Sequence, residues 1–333
     1  MGAVAMMRSV WFVAPRQVEV RAAPLPEPMP GHLRVRVRYS AISAGTEMVA
    51  YRGQWPRDAL LDEVLEPLRR PARFPFPYGY AVVGRVDAVG YGVDEAWLGR
   101  RVFVFHPHQS HAFVRPEQAI PIPDEVTDED AVFYPNMETA ITLVHDAAPL
   151  LGEAVAVFGL GVVGLLTAGL LARFPLARLV AFDHYPLRRK AAQEAGVPET
   201  LPPEAAEEMA PFADVSIEVS GSGRALQQAL QVTRIHGKVV VGSWYGAKPV
   251  ALNLGAHFHR GRLRLISSQV STLNPALTGR WDRRRRGETA WAMLRALRPA
   301  RWISHRFPVE EAPQAYALLD EHPDRCLQLV FTY

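Results

Sequence analysis

The period of the apolar positions changes partway along the chain. Leu33-Arg34-Val35-Arg36-Val37-Arg38-Tyr39 alternates with period two, which predicts a strand with valines on a core and arginines toward water or a partner strand. Glycines and prolines punctuate the next short apolar runs, Ala81 to Val89 and Arg101 to Phe105, as they do between strands. From about Thr127 the pattern lengthens, and Asp128 to His145 has helical spacing. Beyond it, runs of strand character (Ala154 to Phe158, Arg178 to Phe182, Asp214 to Val219, Lys238 to Ser243, Leu263 to Ser268) alternate with helical ones, Val162 to Arg173 and Ala225 to Thr233. Such alternation implies a parallel, doubly wound sheet. The tail from Trp302 to Tyr333 adds a helix, Ala312 to Asp320, and a terminal strand through Cys326-Leu327-Gln328-Leu329-Val330-Phe331. An α/β chain is therefore expected, with a β-rich first domain (1–125, completed by 276–333) and a doubly wound second domain (126–275).

One segment of the second domain carries chemistry. After the strand run come Gly159-Leu160-Gly161-Val162-Val163-Gly164, then a helix, a second strand and the acid Asp183. This strand–turn–helix–strand unit is the fingerprint of a dinucleotide site. Gly159 allows the tight turn, Gly161 lets backbone approach a pyrophosphate, and Gly164 lets helix and strand pack closely. Free N–H groups at the helix start, Val162 and Val163 among them, point at the anion. Asp183 is placed to accept the adenosine ribose hydroxyls, which favours NAD over NADP because a carboxylate repels the extra phosphate. Arg188 and Arg189 lie close enough to leave NADP possible, or to stack on adenine or cap a helix. Ser220, Gly242-Ser243 and Ser268 follow later strands, so they fall at the carboxyl edge where ligands bind. The same glycines could merely pack a helix on a strand. Ala154 to Ala172 is also free of charge and nearly long enough to span a bilayer, but the fixed glycine spacing and the later acid speak against a span.

Bulk properties narrow the setting. A chain of 333 residues is long enough for two cores, and a net charge of +3 is too small to imply nucleic acid or membrane partners. Met1 to Arg8 lacks the apolar core of a secretory leader, so a cytoplasmic location is expected. The single cysteine, Cys326, excludes an intramolecular disulfide and any multi-cysteine zinc site. The densest charge run, Arg280-Trp281-Asp282-Arg283-Arg284-Arg285-Arg286, is either a solvated helix start or a rim that draws in an anion.

Several motifs together resemble the medium-chain dehydrogenase/reductase superfamily over nearly the whole chain. They are Gly45-Thr46-Glu47, Pro77-Tyr78-Gly79-Tyr80-Ala81-Val82-Val83-Gly84-Arg85-Val86 with Val89-Gly90, Gly99-Arg100-Arg101-Val102-Phe103, Glu138-Thr139-Ala140, and Val241-Gly242. Within the superfamily the chain is most similar to the sorbitol/threonine-dehydrogenase-like branch, and Ser43-Ala44-Gly45-Thr46-Glu47 resembles bacteriochlorophyllide a dehydrogenases. The resemblance implies a GroES-like catalytic domain, a Rossmann domain, a small-molecule substrate in the cleft between them, a homodimer, and Thr139 beside the nicotinamide. It also exposes a departure. The family's zinc is held by a cysteine and by the histidine of a Gly-His-Glu motif. Here Ala44 (or Ser43) and Tyr80 stand at those positions, Ala81 follows, and the four-cysteine lobe has no counterpart. No catalytic zinc is expected.

Without zinc another group must handle the substrate proton. Thr46 keeps the hydroxyl that in zinc members contacts the substrate alcohol. Tyr80 offers a phenol that either donates a proton to a carbonyl oxygen or simply fills the space left by the metal. His108, within His106-Pro107-His108-Gln109-Ser110-His111, is the next candidate, and that cluster could line a polar cleft, lie on the surface, or bind a metal with Glu47 or Glu138. The expected activity is zinc-independent hydride transfer between NAD(P) and an alcohol/carbonyl substrate. The alternatives are a quinone-oxidoreductase-like reductase of activated double bonds and a catalytically silent dinucleotide-binding protein.

Overall fold

The computed structural model describes residues 5–56 and 59–333. Residues 1–4, part of the N-terminal segment considered above, and 57–58 lie outside the described residues. The chain divides into two compact units, Met1–Tyr134 with Arg298–Tyr333, and Pro135–Leu297.

In the second unit six strands form one parallel sheet, in the spatial order Glu199–Leu201, Arg178–Phe182, Ala154–Phe158, Ala213–Glu218, Thr233–Val241, Arg264–Ser267. Counted along the chain this is the order 3-2-1-4-5-6 of the dinucleotide-binding doubly wound fold. All five residues of Ala154–Phe158 are buried, as expected of a central strand covered on both faces. The helix Val162–Leu171 that follows is apolar nearly all round because nine of its ten residues are buried. The uncharged stretch Ala154 to Ala172 is thus a strand, a turn and a short helix. Among the described residues no helix is long and apolar enough to cross a membrane.

The first unit holds a seven-stranded sheet in the order Ile303–Pro308, Gln328–Thr332, Leu33–Ala41, Val82–Val89, Arg101–Val104, Ala119–Pro121, with His111–Val114 also paired to Leu33–Ala41. A smaller sheet joins Gln17–Pro24, Met6–Ala14 and Phe76–Pro77. The period-two pattern acts as expected: Val35 and Val37 are buried while Arg36 and Arg38 are exposed. The tail closes this sheet, with Val330, Phe331 and Thr332 running antiparallel against Ala41, Ser40 and Tyr39.

Three sequence-based expectations need correction. The units meet at Tyr134/Pro135 and Leu297/Arg298, not at 125/126 and 275/276. The helix Arg283–Leu297 stays with the second unit because the Arg286 guanidinium pairs with Glu138 at 3.1 Å and Leu297 packs on Gly169. The single helix expected over Asp128 to His145 is two, Asp128–Ala131 and Tyr134–Ala147. Pro135 has no N–H to give the Ala131 carbonyl, so the first helix cannot run into the second. Cys326 is buried but precedes the terminal strand, which begins at Gln328.

The glycines of the loop after Phe158 do different work. A Cβ at Gly164 would lie 1.9 Å from the Gly159 carbonyl oxygen, whereas one at Gly161 would meet nothing within 4 Å. In guanidinium unfolding, Gly164→Ala is therefore expected to lower the stability of this unit by about 3 kcal/mol, the upper end of overpacking costs. Gly161→Ala should stay within about 1 kcal/mol of the parent. Equal losses in the two variants would show that the close approach is not what Gly164 serves.

Candidate functional site

In the second unit the carboxyl ends of the strands carry a cradle built from backbone. Gly159 has φ of +97°, and its missing Cβ leaves room for Ser220, whose Cα would otherwise lie at 2.7 Å. Gly161 caps the helix Val162–Leu171 with extended backbone (φ −64°, ψ −178°), and no side chain caps its first turn. The N–H groups of Val162, Val163 and Gly164 thus begin a ten-residue helix beside open space, the arrangement that receives a pyrophosphate. Asp183, at the end of the neighbouring strand, is 6% exposed and braces this loop. Its Oδ2 accepts the Leu160 N–H at 2.7 Å and its Oδ1 the Tyr185 N–H at 2.9 Å. A carboxylate has about four acceptor positions, so capacity for ribose hydroxyls is left. Arg188 approaches Asp183 at 3.8 Å and stacks on Tyr185, 4.8 Å from the ring centre. Arg189 donates to the carbonyls of Asp183 and His184.

The later strands add a second rim. The Ser220 hydroxyl donates to Glu218 at 2.6 Å, and Gly221 N–H donates to the Ser243 hydroxyl at 2.8 Å. A Cβ at Gly242 would fall 2.4 Å from a terminal methyl of Leu143, so a side chain there would push Leu143 aside. Ser268 donates to Asp146 at 2.6 Å, and Thr139, on the helix that carries Leu143 and Asp146, donates to the Pro135 carbonyl at 3.0 Å. Gly159, Asp183, Ser220 and Ser243 are thereby linked through one set of contacts. Glu218 organises the rim and was not foreseen. It is fully buried and accepts from Ser220 N–H, Gly221 N–H and the Tyr245 hydroxyl. The only hint in the sequence is an acid ending an otherwise apolar strand run.

In the first unit the short helix Thr46–Tyr51 begins beside Tyr80. Burial pushes the Tyr80 phenol up to about 12; hydrogen bonds with Ser43 and Thr46 pull it back, while Glu47 and Asp62 push it further up. Thr46 and Tyr80, both predicted from sequence, are therefore in contact. His108 does not line a cleft. It has no exposure, and it sits between Ser40 Oγ (2.7 Å from Nδ1) and Glu47 Oε2 (2.9 Å from Nε2). The ring fits because residue 79 is glycine, where a Cβ would lie 2.4 Å from it. His106 and His108 do not share a strand face, since the strand ends at Val104. Burial drives His106 down to about 4, against a small opposing pull from its bond to the Pro107 carbonyl, so it is neutral near pH 7. His111 bonds Ser110 on the next strand.

These donors do not fit a zinc ion. Ala44 presents a methyl group and Tyr80 a protonated phenol at the positions where the resemblance implies ligands, while Glu138 is held by Arg286. Among the described residues no group of three or more histidine, cysteine or acidic side chains is arranged to bind a metal.

Comparison with known proteins agrees with this architecture. Residues 162–281 match the model of the zinc-binding dehydrogenase family. The D-guloside 3-dehydrogenase of Escherichia coli K12 is 28% identical over 90% of this chain and 93% of its own length. A short chain alcohol dehydrogenase of Escherichia coli CFT073, crystallised with NADH, superposes with a TM-score of 0.76 at 20% identity, covering 98% of this chain and 99% of that one. A zinc-binding-dehydrogenase-type protein of Sinorhizobium meliloti 1021, bound to NADP, gives 0.77 at 20% identity over 99% and 100%. From the six-stranded sheet and its glycine loop to the tail-closed β domain, these likenesses support the resemblance to the medium-chain dehydrogenase/reductase superfamily.

Proposed function

We propose that this NAD(P)-dependent dehydrogenase works without zinc, on a small alcohol/carbonyl substrate, with Tyr80 and Thr46 handling the proton. The observation that carries this reading is the Tyr80 phenol. It is hydrogen-bonded to Ser43 and Thr46 and stands where a metal ligand would be expected. A bound nicotinamide supplies or accepts the hydride. The chain's own groups do the rest. The glycine loop and the Val162, Val163 and Gly164 N–H groups hold the pyrophosphate, and Asp183 takes the ribose hydroxyls. Thr139, Ser220, Gly242, Ser243 and Ser268 border the remainder. The Asp183 carboxylate supports NAD over NADP, with Arg188 beside it as the residue that would soften that preference. In the reducing direction the phenol gives its proton to the carbonyl oxygen as the carbon receives hydride. The relative that acts on a guloside makes sugar-like secondary alcohols and their ketones the first substrates to try.

Each half of the reading has its own measurement. Gly161→Ala should weaken NADH binding about tenfold or more with little change in folding stability, because a methyl group would enter the space meant for the pyrophosphate. Unchanged affinity would remove the loop from the cofactor site. Tyr80→Phe should lower turnover at least about tenfold, and full turnover would leave the phenol as packing. Since the phenol holds its proton up to about 12, the reducing rate of the parent should show no loss from this group as pH rises to about 11. Metal analysis of the purified protein should find well below stoichiometric zinc, and a full equivalent would overturn the zinc-free mechanism.

A further inference from the structure

Three donors converge on a carboxylate that has no contact with water. Glu47 Oε1 accepts the Ser43 N–H at 2.8 Å, and Oε2 accepts the Tyr316 hydroxyl at 2.5 Å and faces His108 Nε2 at 2.9 Å. Glu47, His108, Ser40 and Tyr316 are all at 0% exposure. A backbone N–H can only donate, and burial first, then Glu47 itself, holds the Tyr316 phenol in its acid form. Both oxygens therefore accept at least one hydrogen bond, and Oε2 shares a second with Nε2 of His108. On its far side His108 Nδ1 meets Ser40 Oγ at 2.7 Å, and Ser40 meets the Tyr333 hydroxyl at 2.7 Å.

Tyr80 lies beside this cluster: Glu47 holds the Ser43 N–H, the His108 backbone N–H donates to the Tyr78 carbonyl at 3.0 Å, and the His108 ring fills the space left at Gly79, next to Tyr80 in the chain. The other titratable groups whose charges reach the cluster are Tyr78, Tyr316, Tyr333, Asp62 and Glu310, and none of these carries positive charge. His108 contacts Glu47 through Oε2, whereas Ser43 contacts Oε1.

We propose that Glu47 and His108 are a buried positioning pair for Tyr80, in which the Glu47 side chain fixes the Ser43–Thr46 turn beside the phenol. The Glu47 charge acts on the phenol in the same direction as burial, which is the larger effect. His108 supplies the hydrogen bond that holds the carboxylate in place. The catalytic consequence rests on the function proposed above; the effect on the phenol does not.

The test is an ultraviolet difference titration of phenolate in the full-length protein without cofactor, with Tyr80→Phe subtracted. The parent should show no Tyr80 ionisation below about pH 11, and ionisation at the ordinary value near 10 would overturn the proposal without any further variant. In Glu47→Gln the Tyr80 ionisation should fall by on the order of one pH unit, and the alkaline limb of turnover in the reducing direction should fall with it while the KM for NADH stays put. His108→Gln still donates to the carboxylate and should leave the Tyr80 titration where it is. A parent-like titration in Glu47→Gln, or the same downward shift in both variants, would show that the pair serves packing alone. A shifted titration together with full turnover in Tyr80→Phe would instead retain the pair and remove Tyr80 from catalysis.

Discussion

The Glu47 carboxylate is sealed from water, so every hydrogen bond it needs must come from the protein. Those donors come from places far apart in the chain. Ser43 lies four residues away, His108 sixty-one, and Tyr316 two hundred and sixty-nine. Ser40 then passes the chain of bonds to Tyr333, the last residue. Removing one partner of a buried charge costs roughly 3–5 kcal/mol, more than a surface ion pair returns. This is a physical reason for the tail to return and close the first sheet: without the helix Ala312–Glu321 and the strand Gln328–Thr332, Glu47 loses Tyr316 and the end of its hydrogen-bond chain. It also explains Gly79, whose φ of +111° and absent side chain make the space in which His108 sits.

The second unit uses buried acids in the same way, but locally. Asp183 and Glu218 lie at the carboxyl ends of the two strands that flank Ala154–Phe158, and both turn their oxygens on loop N–H groups. The Leu160 and Ser220–Gly221 turns are thus held by carboxylates from below, while the N–H groups at the start of the helix Val162–Leu171 keep no side-chain acceptor. A site for an anionic ligand needs both conditions, rigid loops and unspent donors.

This difference decides what could be seen in the sequence. Gly159, Gly161, Gly164 and Asp183 were legible because the whole device is contained in one strand–helix–strand unit, where spacing dictates geometry. The strand Leu33–Ala41 was legible for the same reason, since burial alternates with the pleat. Thr46 and Tyr80 were recognised as candidates only through the resemblance, and their contact depends on strands and loops far apart in the chain. His108 could not be placed. A histidine in a run with His106 and His111 suggests a polar cleft, yet nothing local announces a glycine at 79 that admits its ring or an acid at 47 that receives its N–H. The second boundary was misplaced because the Arg283–Arg286 run looks like a solvated face, whereas Arg286 is buried against Glu138.

On the proposed reaction, replacing a metal site by this cluster reverses the sign of the local electrostatics. A zinc ion makes a bound alcohol easier to deprotonate by putting positive charge beside its oxygen. The charges that bear on Tyr80, those of Glu47 and Asp62, are negative, and burial acts in the same direction. A phenol held near 12 would have to give up about five pH units, roughly 7 kcal/mol, to serve as a base at pH 7. As an acid it is ready at any pH a cell reaches. The overall equilibrium still ties the forward and reverse rates together, so the asymmetry appears as a pH dependence: proton donation to a carbonyl runs at neutral pH, while proton removal from an alcohol through Tyr80 gains with every step into the alkaline range. Thr46 and Ser43, which share hydrogen bonds with the phenol, can pass a proton along but cannot supply the missing positive charge. The same residues that fit zinc poorly therefore make a coherent proton donor, and burial, with the Glu47 carboxylate acting in the same direction, keeps that donor charged with its proton.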